Sequence, residues 1–307
     1  MNVKLYACGG AGTNIARQIP NLDMDLVFVD TSSSNLKQIK HGEVFLVDGM
    51  DGAGKHRPET YENFKTVAED VLVSHKPSDI LNIVIHSISG GSGSVVGPMI
   101  ASKLVASGQN TVVIAVESDQ SIRELDNGIK TLKTYAAQAS KVVQKPISIY
   151  YVGGMTRPEA DRVALQFIHL LTLLVTKKFT EEFDNSDLKS FLYFDRVTDN
   201  PPSVAIIELR ENDTIVPEKG TSVVGTILMT ADKTSTIHPV LPEYMATCVV
   251  TDSEYSNPDI RINSVLGILS LIIEELDRRL QSQNDSKKVN KVREVTVETD
   301  NDDGMCL

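Results

Sequence analysis

The chain has no tryptophan and only eight tyrosines and eight phenylalanines. A buried core must therefore come from Val, Ile, Leu and Ala. No apolar run approaches the ~18 residues that a bilayer-spanning helix needs. Cysteine is scarce: Cys8, Cys248 and Cys306 are far apart and odd in number. That pattern argues against a disulfide framework and for a reducing compartment, so a cytoplasmic location is expected. Positive charge is in deficit, 30 Lys and Arg against 41 Asp and Glu, for a net −11. Such a balance works against direct, non-specific binding to nucleic acid or to an anionic membrane. The six histidines (His41, His56, His75, His86, His169 and His238) show no metal-ligand spacing, so no metal held by a protein cage is expected. The opening residues read as a strand entering a glycine turn, not as a secretion signal.

What is present is α/β alternation. Val- and Ile-rich runs at 3–7, 26–29, 44–47, 80–85, 112–116 and 147–152 are each followed by a turn signal and a helical pattern. This is the mark of a parallel sheet covered on both faces. Val163, Phe167, Leu170, Leu171 and Leu174 recur at helical spacing and predict one long buried helix of roughly 25 residues from about Arg157. Beyond residue 200 strands are expected at 203–209, 222–229 and 246–251. Ile262, Val265, Leu266, Leu269, Ile272 and Ile273 then predict a helix over 258–283. From residue 284 onward basic residues give way to Glu298, Asp300, Asp302 and Asp303, which reads as an exposed tail.

Three glycine-rich loops carry the chemistry. The first is Cys8-Gly9-Gly10-Ala11-Gly12-Thr13-Asn14, where glycine lets backbone amides approach a phosphate at a helix N-terminus. With Asp30 ending the second strand it partly fits a dinucleotide fingerprint, but Ile15 stands where the third glycine belongs. The second, Gly52-Ala53-Gly54-Lys55-His56, nearly spells a phosphate-binding P-loop. It lacks the hydroxyl that would follow the lysine to hold Mg²⁺. The third, Ser89-Gly90-Gly91-Ser92-Gly93-Ser94, offers amides and hydroxyls to terminal phosphates. A single loop could be a plain turn; three, each after a parallel strand, converge on one sheet edge.

The ordered set resembles the tubulin and FtsZ superfamily. The third loop is similar to GGGTGSG, with Ser92 at the Thr position and Val95 in place of the last glycine. The first is similar to GGGGxN through Asn14. Asp30-Thr31 with Leu36, Gly52-Ala53-Gly54 with Pro58-Glu59, and Asn185 with Asp187-Leu188 match further loops in order. Short length, divergent loops and an acidic tail look most like the phage-encoded tubulins (PhuZ group). Plasmid-partition tubulins of the TubZ group are the nearest rival.

The resemblance implies an α/β fold with a parallel-sheet nucleotide-binding domain, a long central helix and a smaller α+β second domain. Its divisions are a GTP-binding domain at 1–156, the helix at 157–183, an activation-type domain at 184–257, a C-terminal helix at 258–283 and an acidic assembly tail at 284–307. It implies GTP or GDP with Mg²⁺ as ligands, and head-to-tail homopolymers as the assembly. Gly9, Gly10, Ala11, Gly12, Ser89, Gly90, Gly91, Ser92, Gly93 and Ser94 would hold phosphates, Gly52, Ala53 and Gly54 would sense the terminal one, and Asp30 would also bind the nucleotide.

Asn14 and Asp161 would accept from guanine, although Asp161 also suits a solvated carboxylate in a helix's first turn. Asn185 and Asp187 would reach a neighbour's nucleotide and orient water for hydrolysis, although both also suit a turn that caps a helix. Ser190 stands where many relatives have a second acid. The function implied is a GTP-hydrolysing filament that positions or segregates phage DNA or particles in a bacterial host. An NAD-dependent dehydrogenase, resting on Gly10, Gly12 and Asp30, is the reading from another class. Val289, Val292, Val295 and Val297 suggest a tail lying extended along a neighbour; a solvating brush is the alternative.

Overall fold

In the computed structural model the described residues are 3–20, 24–48, 52, 54, 57, 64, 66–118, 121–176, 183–211, 219–230, 242–249 and 260–298, with side chains described to 287. The elements run β1 Val3–Cys8, α1 Gly9–Ala16, β2 Met24–Asp30, α2 Ser33–Leu36, β3 Glu43–Leu46, α3 Val67–Ser74, β4 Leu81–Ser87, α4 Gly93–Ala106, β5 Thr111–Val116 and α5 Ile122–Ala137. Then follow β6 Ile147–Val152, α6 Arg157–Val175, α7 Asn185–Leu192, β7 Val204–Glu211, β8 Ser222–Thr230, β9 Tyr244–Val249, β10 Ile260–Leu266 and α8 Ile268–Glu298.

The strands form one sheet in the order β3-β2-β1-β4-β5-β6-β7-β10-β8-β9. The first seven pair in parallel. Because helices cover both faces, β1, β4 and β5 are buried at every residue, which explains their unbroken apolar runs. The chain winds outward from β1 to β3 in one direction and from β4 to β6 in the other. Between β1 and β4 the connections therefore leave on opposite faces and open a crevice at the carboxyl ends of the strands. This is an α/β architecture with the expected parallel sheet covered by helices.

Three expectations are corrected. Residues Ile260–Leu266 form β10, antiparallel to both β7 and β8, not the start of a helix. The apolar spacing suited a helix, yet Arg261 and Asn263 are buried along with Ile262 and Val265. Asn263 is satisfied by Thr226, whose hydroxyl donates to Oδ1 at 2.8 Å. Two flanking strands thus outweigh local periodicity. Gly267, at φ +90°, makes the turn into α8.

The α8 backbone stays helical through Glu298, so the segment from 284 to 298 is not extended. Adding a residue to an existing helix costs far less than nucleating one. Residues 299–307, including Asp300, Asp302 and Asp303, lie outside the described residues. Finally, α6 is 19 residues long, shorter than the 25 expected. Phe167, Leu170, Leu171 and Leu174 are buried, and Val163 is partly so. Among the described residues no helix is long and apolar enough to cross a membrane.

Candidate nucleotide site and the opposite sheet edge

The crevice at the switch point is a cleft of about 280 Å³, lined by Cys8, Gly9, Gly10, Ala11, Asn14, Ile15, Ser87, Gly90, Gly91, Ser92, Gly93, Val116, Glu117, Ser118, Glu124, Arg157, Ala160 and Asp161. Its floor is the meeting of two helix N-termini. Cys8 before α1 and Ser92 before α4 supply no side-chain cap, which leaves amide N–H groups and positive helix ends facing the cleft. The two turns interlock. A Cβ on Gly93 would stand 2.7 Å from the Cys8 carbonyl oxygen, and one on Gly9 2.8 Å from the Gly93 nitrogen. Glycine is required at both positions because the backbones themselves are in contact.

The third loop is braced from behind. Asn127 and Thr131 of α5 donate to the carbonyls of Ser89 (3.2 Å) and Ile88 (2.9 Å). The Ser94 hydroxyl donates to the Gly90 and Gly91 carbonyls at 2.6 and 3.0 Å, so it serves the loop's own backbone. Ser89 Oγ accepts from the Ser118 amide at 3.1 Å. Below the loop, His86 is fully buried and its pKa is pushed down to about 4 by desolvation. Tyr135, whose hydroxyl burial pushes up, lies 2.7 Å from His86 Nε2. The hydroxyl therefore donates to Nε2, and Nδ1–H donates to the Ser87 carbonyl at 3.1 Å. Burial likewise pushes the Cys8 thiol up, which makes it a packing group and not a nucleophile.

Of the expected residues, Gly9, Gly10, Ala11, Asn14, Gly90, Gly91, Ser92, Gly93 and Asp161 come together in the cleft. Gly12, Asp30, Ser89 and Ser94 stand behind its wall. Asp30 is engaged in the second turn, accepting from the Thr31 and Ser32 amides at 2.7 and 3.3 Å and from Asn35 Nδ2 at 2.8 Å. Thr31 then donates to Ser92 Oγ at 3.2 Å and ties that turn to the third loop. A carboxylate so occupied, outside the lining, removes the feature on which the dinucleotide reading depended. Gly52 and Gly54 adopt positive φ, and the Gly52 amide donates to the Thr31 carbonyl at 3.4 Å; Ala53 lies outside the described residues.

Asn14 and Asp161 sit at one end of the cleft. Gln18 donates to both the Asn14 carbonyl (2.9 Å) and Asp161 Oδ2 (3.3 Å).

Glu117, Ser118, Glu124 and Arg157 were missed in the sequence. A usable signal was the polar pair immediately after the apolar run 112–116 of β5, at the same sheet edge as the glycine loops. Glu124 is buried and accepts from Ser121 Oγ at 2.7 Å.

Asn185 and Asp187 lie at the other edge of the sheet. Asn110, which precedes β5, donates to Asn185 Oδ1 at 2.6 Å, and thereby fixes α7 at the amino ends of the strands. Asp184 caps α7, accepting from the Ser186 and Asp187 amides at 2.6 and 3.0 Å. Asp187 Oδ2 accepts from the Asp184 amide at 3.0 Å, and Oδ1 from the Tyr244 hydroxyl at 2.9 Å. Desolvation, then the bond to Asp187, pushes the Tyr244 pKa up to about 12.

No family model matches the chain. It is 30% identical over 226 residues to a phage tubulin-like protein of Pseudomonas phage PhiPA3, covering 71% of this chain and 70% of that one. Its fold superposes on a protofilament of TubZ from bacteriophage PhiKZ with a TM-score of 0.82 at 22% identity, covering 95% of this chain and 92% of that one. It also superposes on the phage tubulin PhuZ with GDP, with a TM-score of 0.81 at 23% identity and 93% of each chain covered.

Proposed function

The chain belongs to the phage tubulin-like proteins, and from that premise we propose that it binds GTP in the cleft, assembles head to tail and hydrolyses GTP in the polymer. One observation carries the reading: the cleft and the Asn185–Asp187 turn occupy opposite edges of a single sheet. Stacking copies along the strand direction brings the turn of one onto the cleft of the next. Such a heterologous contact repeats into an open filament.

In this reading the uncapped starts of α1 and α4, with the amides of Gly90, Gly91 and Ser92, bind the phosphates. Glu124 accepts from ribose hydroxyls and the Ser118 hydroxyl donates to or accepts from them, while Asn14 and Asp161 accept from the guanine edge. Among the described residues no three acidic, His or Cys side chains are grouped to hold a metal. Mg²⁺ would therefore find its oxygens on the phosphates, water and the Ser92 hydroxyl, a donor set that suits it. Asp187, aimed by Tyr244, would orient the attacking water on the neighbour's nucleotide.

The first 156 residues act as the GTP-binding part and 184–257 as the activation part, joined by α6. Beyond α8 the acidic end of the chain docks on a neighbour. The filament positions or segregates phage DNA or particles in the host cytoplasm; a plasmid-partition role fits the same chemistry.

The test is a competition titration of GTP against ATP, followed by sedimentation with each nucleotide, on the wild type and on Asp187→Ala. GTP should win clearly and pellet the wild type. The variant should bind GTP as well as the wild type, hydrolyse it more slowly and keep its filaments longer. Equal affinity for both nucleotides, or loss of GTP binding by monomeric Asp187→Ala, would overturn these assignments.

A further inference from the structure

One carboxylate is shared by two cavities. Glu117 lines the nucleotide cleft and also a second cavity of about 360 Å³, whose walls include Tyr151, Glu208, Arg210, Val265, Ile272 and Arg279. Its amide donates to the Val152 carbonyl at 2.8 Å, so the backbone is fixed in the β5–β6 ladder. The side chain is 4% exposed, and Oε1 accepts from Arg279 Nη2 of α8 at 2.6 Å. Oε2 accepts from the Tyr151 hydroxyl, which burial and the adjacent carboxylate keep protonated. A side chain at Gly153 would occupy the space of Glu117 Oε2 and Tyr151 Oη, so the end of β6 is bare where the carboxylate passes.

We propose that Arg279 is a positioning residue for the nucleotide cleft: through Glu117 it couples the C-terminal helix α8 to what the cleft holds. The coupling rests on the reading that a guanine nucleotide binds there. The cleft already carries Glu117, Glu124 and Asp161 against Arg157, and a nucleotide adds phosphate charge. Arg279 neutralises Glu117 and draws it toward α8. Without that guanidinium a buried carboxylate is left without its ion-pair partner beside an anionic ligand, which opposes binding. Linkage is reciprocal, so a nucleotide that binds better when the pair is closed must also hold α8 closed.

The test uses the full chain with GDP as probe, reading affinity by titration and α8 backbone protection by hydrogen exchange. Arg279→Gln should weaken GDP binding by about ten-fold, a typical coupling factor, and remove the protection that GDP gives α8. Adding Glu117→Gln to Arg279→Gln removes the unpaired charge and should recover most of the affinity while the α8 response stays absent. A merely structural role predicts that affinity falls and recovers only in step with unfolding stability, so denaturant unfolding of the single and double variants is read beside the titration. Should Arg279→Gln fail to fold, the double variant and Arg279→Lys carry the comparison, Arg279→Lys retaining part of both effects. Wild-type binding of GDP with unchanged affinity and α8 response in Arg279→Gln overturns the coupling alone. Failure of the wild type to bind GDP overturns the nucleotide reading and the coupling with it.

Discussion

The two edges of the sheet are built on opposite plans. At the carboxyl edge, two helix N-termini face the cleft without side-chain caps, and backbone meets backbone at Gly9 and Gly93. At the amino edge, α7 carries a reciprocal cap at its first turn, and the Asp184 and Asp187 carboxylates accept from the Ser186, Asp187 and Asp184 amides and the Tyr244 hydroxyl of the same chain. Unmet donors gathered in one place are a site for an anion. Carboxylates already held in fixed directions are a tool that needs no ligand of its own. In the proposed filament the first edge would receive the nucleotide and the second would present its carboxylates to a neighbour.

The sharpest way to break the comparison is one methyl group. Gly93→Ala places a Cβ against the Cys8 carbonyl and must pry the first and third loops apart. At an ordinary helix position the same change would stabilise by about 1 kcal/mol. Here overpacking should cost about 1–3 kcal/mol and weaken GTP binding roughly 10- to 100-fold, as read by denaturant unfolding and nucleotide titration. A stabilised variant with full affinity would show that the loops do not interlock.

The next effect also belongs to the cleft edge. The unfolded chain protonates His86 near its ordinary value of about 6.5, while the native state excludes that proton until about pH 4. The contribution to stability is complete above pH 6.5 and is lost as pH falls toward 4, amounting to on the order of 3 kcal/mol. Urea unfolding of the wild type at pH 7 and pH 4.5 should show the fall. His86→Gln, less stable at pH 7, should show a shallower one; an equal slope in both would place the titration elsewhere.

The smallest effect is at the amino edge. Asp184→Ala removes the cap of α7 and should cost about 1 kcal/mol in thermal or denaturant unfolding, with GTP affinity unchanged. A loss of affinity would mean that the two edges are not separate.

The legible parts of the sequence were those with local causes. The β1, β2, β4, β5 and β6 runs are apolar because both faces are covered, and each strand came within a few residues of its expected bounds. The glycine loops were legible because only glycine allows such close backbone approach, and the chain order of the loops carried the family. Helix α8 and strand β10 were not separable by periodicity, since Ile262, Val265, Leu266 and Leu269 fit a helix as well as a buried strand.

What the residues determined alone, then, is a parallel α/β unit with glycine-rich turns after its strands and a carboxylate-bearing turn after its long helix. Only the tertiary structure decided that Asp30 and Ser94 serve the loops and not the cleft, that Glu117 and Glu124 wall it, and that Glu117 meets Arg279 162 residues away. Which donors a carboxylate meets depends on long-range packing, and a buried charge takes the partner that packing brings within reach.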